Sequence, residues 1–489
     1  MSTRVTTRVS AGELAGTREG GIDRYLAVPY AAPPVGARRF ALPEPPPAWA
    51  GARDATEYGP TAPQTPYGPA TARLLNNVIR EGDDFLTANV WAPADAEGAP
   101  VMVWVHGGSF AHGSNALDGY DGSTFARDGV VFVGINYRLG SEGFSVLDDA
   151  PTNLGLHDVA AVLRWVRREI AAFGGDPARV TAFGESAGAI ALATLLARPG
   201  HFELFDRVIL QSGMATAAPR KKGGRITRRI AKQLGIPTTR AAFAATPAAR
   251  LLEAETVVTA GATPISGGAS FGPVVGDELV PVDPAEAIAG GAGDEVPVLL
   301  GWNTDEWRLW FVPSGIVDRI GLGLFTAARV AFRITPRVLR AYRAAHPGAS
   351  RGELFGHLAT DILLRRPLQR QADSRLAHGG APTWVYEFAW PSPVARLGAA
   401  HAVEIGFVFD GLRSDDSVRI AGDDAPQPLA DRMHAAWVRF AAEGDPGWRP
   451  WDARRPILVI DGDPEHDAST VVEGHRDAEL RAWPERRRR

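Results

Sequence analysis

The stretch Arg179-Val180-Thr181-Ala182-Phe183-Gly184-Glu185-Ser186-Ala187-Gly188 opens as an apolar, strand-forming run and closes on two glycines that bracket Glu185, Ser186 and Ala187. An Ala-rich, helix-forming run leaves it. A strand that turns at once into a helix with a serine at the bend reads as a nucleophile elbow. The glycines allow the sharp turn without a Cβ clash, so the Ser186 hydroxyl can stand exposed at the strand's tip. The helix that begins near Ala187 aims its free amides, with their partial positive charge, at whatever Ser186 attacks.

With 54 glycines in the chain, the pentapeptide pattern occurs again at Gly268-Ala269-Ser270-Phe271-Gly272. Its context differs. Thr263-Pro264-Ile265-Ser266-Gly267 precedes it, turn-rich and without an apolar strand, so Ser270 reads as a loop residue. A second element fits only the first motif. Val101-Met102-Val103-Trp104-Val105 runs straight into His106-Gly107-Gly108-Ser109-Phe110, a loop whose backbone can approach a reacting carbonyl. Fixed backbone donors there would stabilise an oxyanion before it forms, and the amides of Gly108, Ser109 and Ala187 are the candidates, with Gly107 in support.

Working outward, strands are expected at Val101 to Val105, Val130 to Ile135, Val180 to Phe183, Val208 to Leu210, Val296 to Leu300 and Trp384 to Phe388, alternating with helical stretches. That rhythm predicts an α/β chain built on a large, mostly parallel sheet with helices on both faces. The helix from about Leu156 to Phe173 repeats Val159, Leu163, Val166 and Ile170 on one face and stops at Gly174. Residues 215–265 and 311–380 break the rhythm with Arg/Ala-rich helices, and read as gate and cap insertions within one catalytic body spanning 1–489. The run from Ile320 to Phe332 is expected to be a cap helix, too short to cross a membrane and interrupted by Arg329.

A net charge of −4 with 22% charged residues offers no broad basic surface for nucleic acid, and the Arg486 to Arg489 tail reads as a solvated terminus. The first residues lack the apolar core of a secretory signal, so a cytoplasmic location is expected. The chain contains no cysteine. His106 and His112 flank the glycine loop without further residues at metal-ligand spacing, so neither metal nor cofactor is expected.

Other ordered blocks carry a specific resemblance. Ala27-Val28-Pro29-Tyr30-Ala31-Ala32-Pro33-Pro34-Val35-Gly36, Asn136-Tyr137-Arg138-Leu139-Gly140, and the run from Asn153-Leu154-Gly155-Leu156 through Phe173-Gly174-Gly175-Asp176-Pro177 into the elbow follow one another as in type-B carboxylesterases. That family also contains the cholinesterases and bacterial para-nitrobenzyl esterases. The resemblance runs nearly end to end and implies an α/β-hydrolase fold. Three departures stand out. The segment that carries a disulfide cysteine in the family is Asp84-Phe85-Leu86-Thr87-Ala88-Asn89-Val90-Trp91 here; Ser109 replaces the third glycine of the oxyanion loop; and His157-Asp158-Val159 replaces the family's usual polar pair.

A serine at neutral pH is a poor nucleophile and needs a base, which in turn needs a carboxylate to orient it. In α/β-hydrolases these follow in the order Ser, acid, His. His401 lies in a Gly398-Ala399-Ala400-His401 loop that resembles the family's histidine segment. Both Asp305 and Glu306 follow the Pro297 to Gly301 strand, and the resemblance favours Glu306 as the acid. It also casts Ser212, in Gln211-Ser212-Gly213, as a support for that acid. Glu185 reads equally as a charge that biases the pocket or as a buried structural carboxylate. The implied activity is hydrolysis of small to medium, apolar carboxylic esters through an acyl-enzyme on Ser186. The alternatives are an amide or carbamate hydrolase with the same residues, or a non-catalytic cholinesterase-like binding protein.

Overall fold

A computed structural model describes residues 2–261, 270–463 and 466–484. The Arg486 to Arg489 tail, the Thr263 to Ala269 segment ahead of Ser270 and the last residues of the first expected insertion lie outside these. Along the chain the strands are β1 (Thr3–Val9), β2 (Gly12–Glu19), β3 (Ile22–Pro29), β4 (Ala52–Asp54), β5 (Thr87–Pro93), β6 (Ala99–Val105), β7 (Val131–Ile135) and β8 (Gly175–Glu185). They continue as β9 (Arg207–Gln211), β10 (Ala218–Pro219), β11 (Val274–Val275), β12 (Val298–Asn303), β13 (Thr383–Phe388), β14 (Pro456–Ile460) and β15 (Thr470–Glu473).

Thirteen of these form one sheet in the order β1-β2-β3-β5-β7-β6-β8-β9-β12-β13-β14-β15, with β4 paired to β2. The stretch from β7 to β14 is parallel throughout. Antiparallel pairs close both ends. Parallel strands covered on both faces must be apolar on both, and β7, β12 and β13 are buried along their whole length. Successive side chains of β6 then serve opposite layers: Val101, Val103 and Val105 join one apolar cluster, Met102 and Trp104 the other. All six strands expected from the sequence are present: β6, β8, β9 and β13 are longer than expected, β7 begins one residue later, at Val131, and β12 is shifted to Val298–Asn303. The antiparallel strands β1 to β3 were not among those expected, because β1 alternates Thr and Arg with Val and leaves most of its side chains in solvent.

The helix that leads to the elbow spans Leu154–Glu169 and tightens over Ile170–Phe173 before Gly174 ends it at φ 81°. Its stripe of Val159, Leu163, Val166 and Ile170 is fully buried. His157-Asp158-Val159 does carry a polar network. Asp158 receives the backbone amide of Arg138 at 3.0 Å and its guanidinium at 2.7 and 2.6 Å, an ion pair shut off from solvent on both sides.

The two rhythm-breaking segments are helical. The first holds Arg225–Leu234, Arg240–Ala245 and Ala248–Thr259; the second holds Leu322–Ala331, Pro336–Ala345, Arg351–Thr360 and Arg366–His378. The second segment builds a separate apolar cluster from Phe311, Val317, Phe325, Leu339 and Leu358, joined by Trp307 before it and Trp483 near the C-terminus. No helix among the described residues is long and apolar enough to cross a membrane.

Candidate active site

Ser186 stands between β8 and the helix Ala187–Leu196, at φ 55° and ψ −118°. A non-glycine residue at positive φ is strained, and here the turn is over-determined from both sides. Ser186 donates its amide to Gln211 O on β9 at 2.9 Å, while its carbonyl accepts the amide of Ile190 at 2.9 Å. A Cβ on Gly188 would overlap the carbonyl of Val105, so only glycine lets the helix cross this close to β6. Ser270, in contrast, is exposed and belongs to no regular element.

The loop after β6 closes over the same bend. A Cβ on Gly107 would lie 2.6 Å from Glu185 Oε2 and 3.1 Å from Ser186 Cβ, which places this backbone directly against the serine. Gly108, Ser109 and Phe110 follow at φ 104°, 57° and 59°. The Gly108 carbonyl accepts the amides of Ala111 and His112 at 3.0 and 2.9 Å. The amides of Gly108, Ser109 and Ala187 have no protein acceptor among the described residues. Ser109 takes the left-handed conformation that a third glycine would adopt without penalty, and its side chain points to solvent. Below the loop, His106 is buried, stacks on Tyr137 at 4.6 Å and is held by burial at a pKa of about 4, a neutral structural residue.

Glu306 ends the turn after β12 and is almost wholly buried. Its Oε1 accepts the Ser212 hydroxyl at 2.6 Å and the Asn303 amide at 2.8 Å, and its Oε2 lies 2.5 Å from His401 Nδ1. Asp305 faces away, against Arg308 at 3.2 Å, and receives nothing from His401. Its amide donates to Ala399 O at 2.8 Å, tying the acid turn to the histidine loop.

His401 Nε2 makes no hydrogen bond to Ser186 in this arrangement. It lies 2.9 Å from Glu185 Oε1, so the imidazole bridges two buried carboxylates, while Ser186 Oγ has no hydrogen-bond partner among the described residues. Burial alone would depress the His401 pKa, but the charges of Glu185 and Glu306 overcome it and hold the group well above the ordinary histidine value. Burial also pushes the Glu185 carboxyl up, opposed by His401. The fold thus brings Ser186, Glu185, Gly107, Gly108, Ser109, Ala187, Ser212, Glu306 and His401 to one place.

Two neighbours were not anticipated. Glu404, three residues beyond His401, is fully buried and accepts Asn303 Nδ2 at 2.6 Å; burial, then Glu185 and Glu306, push it to a pKa of about 8. A carboxylate inside the apolar run Ala402 to Val408 was the available signal. Trp310 lays its ring 4.8 Å from that of His401 and roofs it. Nothing in its local sequence marks that role.

A sequence profile of the carboxylesterase family matches residues 2–456. Para-nitrobenzyl esterase of Bacillus subtilis is 35% identical over 478 residues, covering 94% of this chain and 95% of that protein. Phenmedipham hydrolase of Pseudarthrobacter oxydans is 34% identical, covering 95% and 96%. Among solved structures, carboxylesterase EST55 of Geobacillus stearothermophilus at pH 6.2 superposes with a TM-score of 0.86 at 34% identity, over 98% of this chain and 100% of that one.

Proposed function

We propose, from the premise that this chain belongs to the carboxylesterase family and is a carboxylic ester hydrolase of the α/β-hydrolase fold, that Ser186 is its nucleophile, His401 its base and Glu306 the acid that orients the base. The observation that carries this reading is the continuous run of buried contacts from Ser212 through Glu306 to His401 and on to Glu185, the chain neighbour of a serine held at φ 55°. For attack, Nε2 of His401 exchanges Glu185 for the Ser186 hydroxyl and takes its proton as Oγ bonds to the ester carbonyl carbon. The unpartnered amides of Gly108, Ser109 and Ala187 receive the oxyanion. His401 then protonates the departing alcohol, and water, deprotonated in turn by His401, releases the acid from the acyl-enzyme.

The substrates are small to medium, apolar esters, a choice supported by the Trp310 ring over His401. The helical segments 215–265 and 311–380 act as gate and cap on one catalytic body. A cytoplasmic setting belongs to the same reading, and cell fractionation tests it.

A fluorophosphonate probe should label Ser186, and Ser186→Ala should lower kcat by about 10⁴- to 10⁶-fold with the fold intact. Label recovered on the Ser270 peptide would overturn the assignment. A panel of chromogenic esters of graded acyl length and alcohol bulk then defines the pocket.

A further inference from the structure

The helix Leu322–Ala331 is apolar yet barely packed. Leu322 is 67% exposed, Leu324 54% and Val330 76%, and Phe332 just beyond is 36% exposed. These are four of the twelve large exposed apolar residues among those described, gathered within eleven positions. Only Phe325 of the helix is buried. An apolar patch this dense on an otherwise ordinary surface marks a contact with something apolar.

The surrounding charge says what kind. From Arg319 to Arg343 the chain carries six arginines, Arg319, Arg329, Arg333, Arg337, Arg340 and Arg343, and neither Asp nor Glu, although its net charge is −4. None of the six has an ion-pair partner among the described residues. A second copy of this chain docked by two-fold symmetry would set these arginines against each other. An apolar helix flanked by unpaired arginines fits instead the interface of an anionic bilayer, which takes the side chains into its acyl boundary and the guanidinium groups among its phosphates.

We propose that the helix Leu322–Ala331, with its flanking arginines, is an interfacial anchor that seats the molecule reversibly on anionic lipid. Phe325 connects it to the site: it enters the cluster of Trp307, Phe311 and Val317, against which Trp310 also packs, and Trp310 lies over His401. A docked helix therefore holds the roof of the site against the layer in which apolar esters concentrate. That last consequence rests on the ester hydrolase reading above; the binding itself does not.

The test is sedimentation of the full chain with vesicles of equal parts phosphatidylglycerol and phosphatidylcholine, and with vesicles of phosphatidylcholine alone. The protein should sediment with the anionic vesicles only, and less so as salt is raised to about 0.5 M. The double variant Leu322→Glu/Val330→Glu should lose at least about tenfold in partitioning while hydrolysing a water-soluble ester at the parental rate. Arg333→Glu/Arg340→Glu should also weaken binding. These substitutions are on the surface, and melting curves confirm that the variants fold. Absence of binding to anionic vesicles, or binding that survives Leu322→Glu/Val330→Glu, overturns the proposal. Self-association in sedimentation velocity that the same pair abolishes, without lipid binding, would make the face a contact between copies and overturn it as well. Loss of soluble-ester hydrolysis in the parent would count against the enzymatic reading alone, because vesicle binding is read independently.

Discussion

His401 rests between Glu306 on Nδ1 and Glu185 on Nε2, and in the proposed mechanism that pairing sets the pH at which the serine can be activated. Attack needs the neutral imidazole. With both carboxylates holding its pKa well above the ordinary value, this form becomes abundant only at higher pH, so kcat/KM should rise through a limb above about 6.5. Glu185→Gln removes one of the two charges but keeps the shape, and should move the limb down by about one pH unit. A limb that stays in place would show that Glu185 does not act on His401. The adjacent carboxylates of the acid turn separate in the same way. Glu306→Gln should lower kcat by about 10³- to 10⁴-fold with little change in KM, because the base loses its orientation and its counter-charge. Asp305→Asn, which touches Arg308 rather than the imidazole, should leave kcat within about tenfold and show instead in the melting temperature. A folded Asp305→Asn enzyme that is inactive, beside an active Glu306→Gln, would reverse the two roles. The residues that were legible in the sequence were those with a local signal: a glycine-bracketed serine after a strand, or a histidine in a short glycine loop. The contact between Glu185 and His401 was not legible, because it joins the end of β8 to the loop after β13, segments distant in the chain whose approach only the sheet determines.

At the level of elements, a buried glutamate ties the helical segment 215–265 to the chain that follows β7. Glu255, on the helix Ala248–Thr259, accepts the amide of Ser141 at 2.8 Å at the start of the turn that follows Asn136-Tyr137-Arg138-Leu139, and Gly140 in turn donates to the Phe110 carbonyl at 2.7 Å. Burial raises Glu255 from 4.5 to about 7, against the Ser141 hydrogen bonds and helped by Glu142. Between these values the folded chain keeps a proton that the unfolded chain has lost, so stability falls as pH rises through the window and levels off above it. Glu255→Gln retains an acceptor for Ser141 and carries no charge. It should therefore be more stable than the parent at pH 8, by up to about 3 kcal/mol, and nearly equal to it at pH 4.5. Chemical denaturation at the two pH values checks this, and an equal shift at both would mean that packing, not ionisation, governs the site. No periodicity in the sequence singles out Glu255, since its partner is 114 residues away. The strands β6 to β8 could be read from their unbroken apolar runs, while β1 to β3 alternate with polar residues and owe their pairing to one another.

The described residues form three apolar cores, one on each face of the sheet and a third built mainly from the segment 311–380. The third meets the others through few partly buried side chains, notably Leu363 toward one face and Trp310 toward the other. A module joined so narrowly can open while the sheet stays closed. What fastens it is the chain's last described stretch. Trp483 packs into the third core, donates Nε1 to Tyr342 Oη at 3.0 Å and lies 4.0 Å beneath the Arg366 guanidinium. Nearby, Arg476 holds Glu479 at 2.9 Å and reaches Glu387 on β13 at 3.7 Å, which clamps the same stretch to the sheet. Trp483→Ala leaves a large cavity on the cap side of this clamp and should cost about 3 to 5 kcal/mol in local stability. Hydrogen exchange should accelerate across residues 322–360 while β6 and β8 keep the protection of the parent. Because Trp310 rides on that core, KM should rise more than kcat falls, the roof over His401 being loosened while the Glu306–His401 contact is kept. Acceleration spread evenly over sheet and cap would mean that the three cores unfold as one, and that Trp483 supports the molecule as a whole.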